Sequence, residues 1–263
     1  MADATHVDIE FSARHDNNAS RAESGKDVFS DATVGLDLNI VHSMMLTAHS
    51  GLQLHGALHL MQFARFEDLN HVDLQAGMLY RIQPVKAYTA PWFDVSLGWQ
   101  RQAFQNSDIR EGDLLSLDLG AGQRLTDRLR LRAGYGWERR LADDNEVFEW
   151  RRRTARVSAD FKISTALTLY AMASRTHGDQ VFTATPAPAF LAVAKAIVDD
   201  PVFGERRAYR LGAQADLLEL GGSYSFNSSH TLDLGLRRFN IEAEAGHSYD
   251  GTELRASWLY RFQ

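Results

Sequence analysis

The sequence predicts an all-β protein: one transmembrane, antiparallel, up-and-down β-barrel domain of twelve strands covering residues 1–263. Three observations predict it. Apolar residues recur at every second position through twelve stretches, the period of a strand whose side chains alternate between faces. The apolar parity carries almost no charge through the middle of any stretch, as a lipid-facing row requires, because a mid-membrane Arg or Lys costs roughly 2–4 kcal/mol. Short turns alternate with longer polar loops, as at the two ends of an up-and-down barrel.

The elements follow in order. The first strand, residues 6–14, sets Val7, Ile9, Phe11 and Ala13 against Asp8, Glu10 and Ser12. After the polar loop 14–30, the second carries Ala32, Val34, Leu36, Leu38 and Ile40 against Thr33, Gly35, Asp37 and Asn39. A tight turn is expected near His42 to Met44. The third strand then alternates Leu46, Ala48, Leu52, Leu54, Leu58 and Leu60 with Thr47, His49, Gln53, His55 and His59. The fourth has Val72, Leu74, Ala76, Met78, Tyr80 and Ile82 outward. The fifth has Phe93, Val95, Leu97 and Trp99, and the sixth Leu115, Leu117, Leu119 and Ala121. A short turn, 126–128, leads to the seventh, where Leu129, Leu131, Ala133, Tyr135 and Trp137 oppose Arg130, Arg132, Gly134, Gly136 and Glu138. The acidic loop 141–146 precedes the eighth, with Ala155, Val157, Ala159, Phe161 and Ile163. The ninth carries Leu167, Leu169, Ala171 and Ala173. The longest connection follows, 176–207. The tenth strand spans 208–226, with a bulge expected at Leu217-Leu218, where the parity slips. The eleventh has Leu232, Leu234 and Leu236.

The twelfth strand ends the chain as Gly251 to Gln263, with Leu254, Ala256, Trp258, Tyr260 and Phe262 on one parity. Tyr-x-Phe near the terminus resembles the C-terminal strand of Gram-negative outer-membrane β-barrel proteins, although Gln263 follows the aromatic here. The other outward aromatics, Tyr80, Trp99, Tyr135, Trp137, Tyr224 and Phe226, sit near strand ends, where interfacial girdles lie. The resemblance implies an outer-membrane location and contact with outer-membrane lipid and lipopolysaccharide. It also implies recognition of the last strand by the barrel assembly machinery. The chain starts Met1-Ala2-Asp3-Ala4-Thr5, which reads as a mature start from which an export signal has been removed.

Composition agrees. Hydrophobic residues make up 44% and mean hydropathy is negative, which excludes membrane helices but not a barrel. There is no cysteine, so no disulfide framework and no thiolate metal site. A net charge of −6 argues against a nucleic-acid partner. Only Lys26, Lys86, Lys162 and Lys195 are lysines among 28 basic residues. The arginine preference fits lumen ion pairs, anionic ligands or a GC-rich genome.

The inward parity suggests where function lies. Asp8, Glu10, Asp37, Asp73, Asp94 and Asp118 form an acidic wall on the first six strands. Arg130, Arg132, Arg156, Arg237, Arg255 and Arg261 form a basic wall on the seventh, eighth, eleventh and twelfth. The porins, which this chain resembles, carry such opposed walls at their constriction. Two outcomes stay open: a narrow channel for small polar or anionic solutes, or a filled, non-conducting lumen in a structural or assembly-partner barrel. In the connection 176–207, Thr185-Pro186 offers an N-cap and an N1 proline. The apolar run then predicts a helix over 186–199, with Phe190, Val193 and Ile197 at helical spacing. That segment is expected to plug the mouth, lie on the outer leaflet or bind a protein partner. A third reading is a lipid- or lipopolysaccharide-modifying enzyme. The His-x-Ser pair of outer-membrane lipid hydrolases and the Asp-x-His rim pair of outer-membrane proteases are not found, so no catalytic residue is assigned. No cofactor or metal is expected; His55 and His59 lie about 13 Å apart on a strand, too far to share an ion.

Overall fold

The computed structural model describes residues 3–23 and 25–262, and Gln263 lies outside them. Its strands are β1 (Ala4–Asp16), β2 (Asp31–Thr47), β3 (Ser50–Phe63), β4 (His71–Ile82), β5 (Trp92–Phe104), β6 (Gly112–Arg124) and β7 (Leu129–Ala142). They continue as β8 (Trp150–Lys162), β9 (Leu167–Ala184), β10 (Ala196–Asp200), β11 (Arg206–Ser225), β12 (His230–Ala243) and β13 (Ser248–Arg261), with one short helix, α1 (Pro188–Leu191). Each long strand pairs antiparallel with the next, β9 pairs with β11, and β13 pairs with β1. Twelve strands therefore close a cylinder with no free edge, the condition for spanning lipid. β10 is an extra strand laid on the outer end of β11.

The end that carries both termini and the tight turns is called periplasmic below. Two boundaries there differ from the sequence reading. β2 continues to Thr47, and the turn falls at Ala48-His49 rather than at His42 to Met44. His49 therefore sits at the rim, not in the lumen. The ambiguity arises because, His42 apart, Val41 to Leu46 are apolar or small on both parities.

Leucines and aromatics cover the outside. Val34, Leu38 and Ile40 of β2, Val95 and Leu97 of β5 and Leu234 and Leu236 of β12 are all exposed. An apolar surface of this extent belongs against hydrocarbon, not water. The chain is a membrane-spanning barrel of the outer-membrane type.

Toward the extracellular end this sidedness reverses. On β12 the exposed row changes from Leu234 and Leu236 to Arg238, Asn240 and Glu242, while Phe239 and Ile241 turn inward and are buried. β13 does the same: Leu254 is exposed, but farther up Asp250 is exposed and Tyr249 buried. The expected bulge at Leu217-Leu218 is absent, since β11 keeps one register with both neighbours. The apolar residues simply change faces there, with Leu218 and Leu220 outward but Tyr209 and Leu211 inward. Above the bilayer the wall stands in water and buries its apolar side internally, as a soluble barrel does.

Candidate functional site: the lumen and its covered mouth

The inward charges pair along the wall, mostly between adjacent strands. Asp94 receives Arg81 Nε at 2.6 Å and Arg132 at 3.2 Å. Asp118 holds Arg156 across β7. Arg130 reaches Asp160 at 2.7 Å. Arg237 bridges Glu219 at 3.0 Å and Glu253 at 3.5 Å. Arg255 reaches Asp233 at 3.0 Å and Glu219 at 3.5 Å, and donates to the Tyr170 hydroxyl at 3.2 Å. Tyr170 in turn donates to Asp233 at 2.9 Å. These contacts form one polar network over β9, β11, β12 and β13. Tyr170 lies flat because Gly221 leaves it room; a Cβ there would overlap its ring.

Of the remaining predicted residues, Asp8, Asp37 and Asp73 have local partners. Asp8 accepts from Asn39 at 3.1 Å. Glu10 stands opposite Asp37 in the β1–β2 register. Asp37 pairs with His59, and Asp73 accepts from Gln100 at 2.8 Å with His71 at 3.9 Å. Arg261 stands opposite Asp8 and helps line a periplasmic hollow of about 500 Å³ with His6, Ser43 and Gln53. Of the residues read from sequence, the structure joins Asp94 to Arg132 and Asp118 to Arg156. Sequence reading missed Asp160, Glu219, Asp233 and Glu253 as partners, although all four occupy the inward parity.

Solvent access differs along the bore. Arg130, Arg132 and Arg156 side chains are 47, 44 and 43% exposed although they face inward. Glu219, at 9%, is nearly closed off. The lumen beside β7 and β8 is more open to solvent than the β11–β13 side, where Arg237 and Arg255 are 31 and 27% exposed.

The connection between β9 and β11 lies across the extracellular mouth. Phe190 of α1 is buried among inward residues of the upper wall, Phe182, Tyr209, Leu211, Phe239, Ile241 and Tyr249. Its ring stacks on Tyr209 at 4.8 Å and on His247 at 4.0 Å. Val202 and Phe203 pack with Leu69 and Phe66 of the β3–β4 loop and Phe29 of the β1–β2 loop. Ala196 packs with Val147 of the β7–β8 loop. Asp200, fully buried, pairs with Arg110 of the β5–β6 loop, whose guanidinium lies between Phe148 and Phe203. Burying each large apolar side chain contributes about 1.5–3 kcal/mol, so this roof is a folded element, not a floppy strap.

The helix is shorter than the sequence suggests. α1 covers only Pro188–Leu191, and Ala196–Asp200 is strand β10, paired with Arg206–Arg210. Thr185 does not cap a helix, because its hydroxyl and amide donate to Asp27 at 2.7 and 2.9 Å. The β-branched pair Ile197-Val198 favours the strand. Of the three plug residues, Phe190 is buried, Val193 packs against the same cluster, and Ile197 is exposed. Asp27 also accepts from Arg206 at 3.1 Å. Burial pushes the Asp27 carboxyl up, but the Thr185 and Arg206 contacts outweigh it and hold the group below the usual carboxylate range. Opposite, His247 meets Glu23 at 2.8 Å.

No family model matches the chain, and no curated protein resembles it in sequence. The fold has relatives among solved structures. An outer membrane channel from Pseudomonas putida F1 superposes with a TM-score of 0.69 at 12% identity, over 100% of this chain and 96% of that one. The toluene transporter TodX of Pseudomonas putida gives 0.51 at 10% identity, over 99% and 90%. At these identities the likeness establishes the outer-membrane barrel fold.

Proposed function

We propose that the protein is a passive, narrow outer-membrane channel for small polar or anionic solutes, with the roof 185–205 acting as its gate. One observation carries this reading. Arg130, Arg132 and Arg156 face the lumen yet remain nearly half exposed. A barrel filled by its own side chains would bury them. Their guanidiniums are shared with Asp160 on the adjacent strand and with Asp94 and Asp118 two strands away, which keeps the charges on the wall and leaves the bore to solvent. A protein of the same fold is described as an outer membrane channel, which supports the reading.

A second reading, a non-conducting barrel, is favoured by the roof, which five other loops hold in place. Planar-bilayer recording separates the two. The channel reading expects small or intermittent conductance from the wild type and larger, steady conductance from a variant lacking 188–200. Replacing Arg130, Arg132 and Arg156 by Glu in that variant should move the reversal potential in a salt gradient toward cation preference. Silence from both the wild type and the deletion, with folded barrels, would establish the non-conducting reading.

A further inference from the structure

Just above the apolar belt, the outer wall of β7, β8 and β9 carries a cluster of bases that the channel reading does not use. Arg139 stands directly opposite Arg151, and Arg153 opposite His177. All four are exposed. Like charges facing each other across a strand pair are destabilising, so the arrangement asks for an anion. Four acids on this side are already engaged. Asp143 and Asp113 hold Arg101, Asp216 holds Arg175 at 2.6 Å, and Asp179 holds Lys195 at 2.6 Å. Among the described residues, no carboxylate pairs with Arg139, Arg151 or Arg153.

The height of the cluster is informative. Trp137 is the cross-strand neighbour of Arg153, and Tyr135 lies one outward position below it. Interfacial aromatics mark the headgroup level of a barrel, so the arginines lie among lipid headgroups. Beneath them the wall is hollowed twice. A depression of about 970 Å³ has Arg139, Arg151 and Arg153 on its border and Leu97, Leu117 and Trp137 in its lining. Lower on the same strands, Ala133, Ala159, Ala171 and Ala173 open a groove of about 500 Å³ between Leu131, Val157 and Leu218, with an almost wholly apolar lining. Guanidiniums are suited to phosphate, and an alanine groove on a lipid-facing wall is suited to an acyl chain.

We infer that this face is a specific binding site for a phosphate-bearing acylated glycolipid of the outer leaflet, of the lipopolysaccharide class. The phosphate sits on Arg139, Arg151 and Arg153, and an acyl chain lies in the alanine groove below. The inference is independent of whether the lumen conducts.

Native mass spectrometry of the full-length barrel in detergent tests it, with purified diphosphoryl lipid A and its enzymatically dephosphorylated form as probes. The wild type should retain diphosphoryl lipid A at least about tenfold more tightly than the dephosphorylated form, in line with the contribution of each headgroup-level base. The combined variant R139Q/R151Q/R153Q should lose that preference. Arg238→Gln, which removes an outward base on the far strand β12, should keep it. Heat-modifiable migration on a gel confirms that each barrel is folded, and the comparison of the two lipids needs only the wild type. Equal retention of the two lipids by the wild type, an unchanged preference in the folded triple variant, or an equal loss in Arg238→Gln would each overturn the proposal.

Discussion

Asp200→Ala is the sharpest test of the roof. Asp200 has no exposed side-chain surface and Arg110 has 10%. Without the carboxylate, Arg110 keeps Ser107 Oγ at 2.8 Å and the faces of Phe148 and Phe203 at 4.8 and 5.8 Å, but no counter-charge. Breaking one side of a buried ion pair costs about 3–5 kcal/mol. The twelve-strand cylinder does not depend on this contact, so the cost falls on the closed state of the roof. At about 1.4 kcal/mol per factor of ten, the closed-to-open ratio drops by roughly two to three and a half powers of ten. Two assays read it: single-channel open probability, and trypsin cleavage at Lys195, Arg206 and Arg207 in the folded barrel. Both should rise sharply. The double variant Arg110→Met/Asp200→Leu should close again, because an apolar pair can replace a buried ion pair at little cost. A roof in Asp200→Ala as protease-resistant and as closed as the wild type would refute the reasoning.

Other outcomes follow from the same structure. Phe190→Ala removes the ring between Tyr209 and His247 and should cost the roof about 3–5 kcal/mol, seen as the same cleavage with unchanged barrel heat resistance. The Asp27 latch should open in acid: its carboxyl is held below its usual value in the folded state, so its stabilisation is full above that value and fades as pH falls through the lowered one, below about 4. Conductance and tryptic protection followed from neutral pH down to that window check it, and Asp27→Asn should flatten the dependence. Gly178 has φ +144°, and a Cβ there would overlap the Arg151 carbonyl, whereas Gly25 has open space around it. Gly178→Ala should therefore lower the thermal midpoint by the equivalent of about 1–3 kcal/mol, and Gly25→Ala should leave it unchanged.

The cylinder was legible in the sequence because lipid and water impose one period on every strand. Val34 to Ile40 or Leu115 to Ala121 announce their outward face residue by residue. The reading failed where the solvent on each side changes. Leu217-Leu218 looked like a register slip because the apolar row crosses to the inside where the wall leaves the membrane. The roof was legible only as an apolar segment with nowhere to go. Its partners, Leu69, Arg110 and Val147, come from separate loops that only the closed barrel brings together. In the lumen, the acids that neutralise Arg237 and Arg255 lay on the polar parity all along, but parity does not tell which neighbour a guanidinium will choose.

The reversal of sidedness at the outer rim also orders events in time. The seat that receives Phe190 is built from β9, β11, β12 and β13, and three of these strands are synthesised after the segment they hold. The seat for Phe190 is incomplete until β13, the last strand made, has paired with β12. Docking of the lid is thus a late step, placed after the C-terminal strand has joined the sheet.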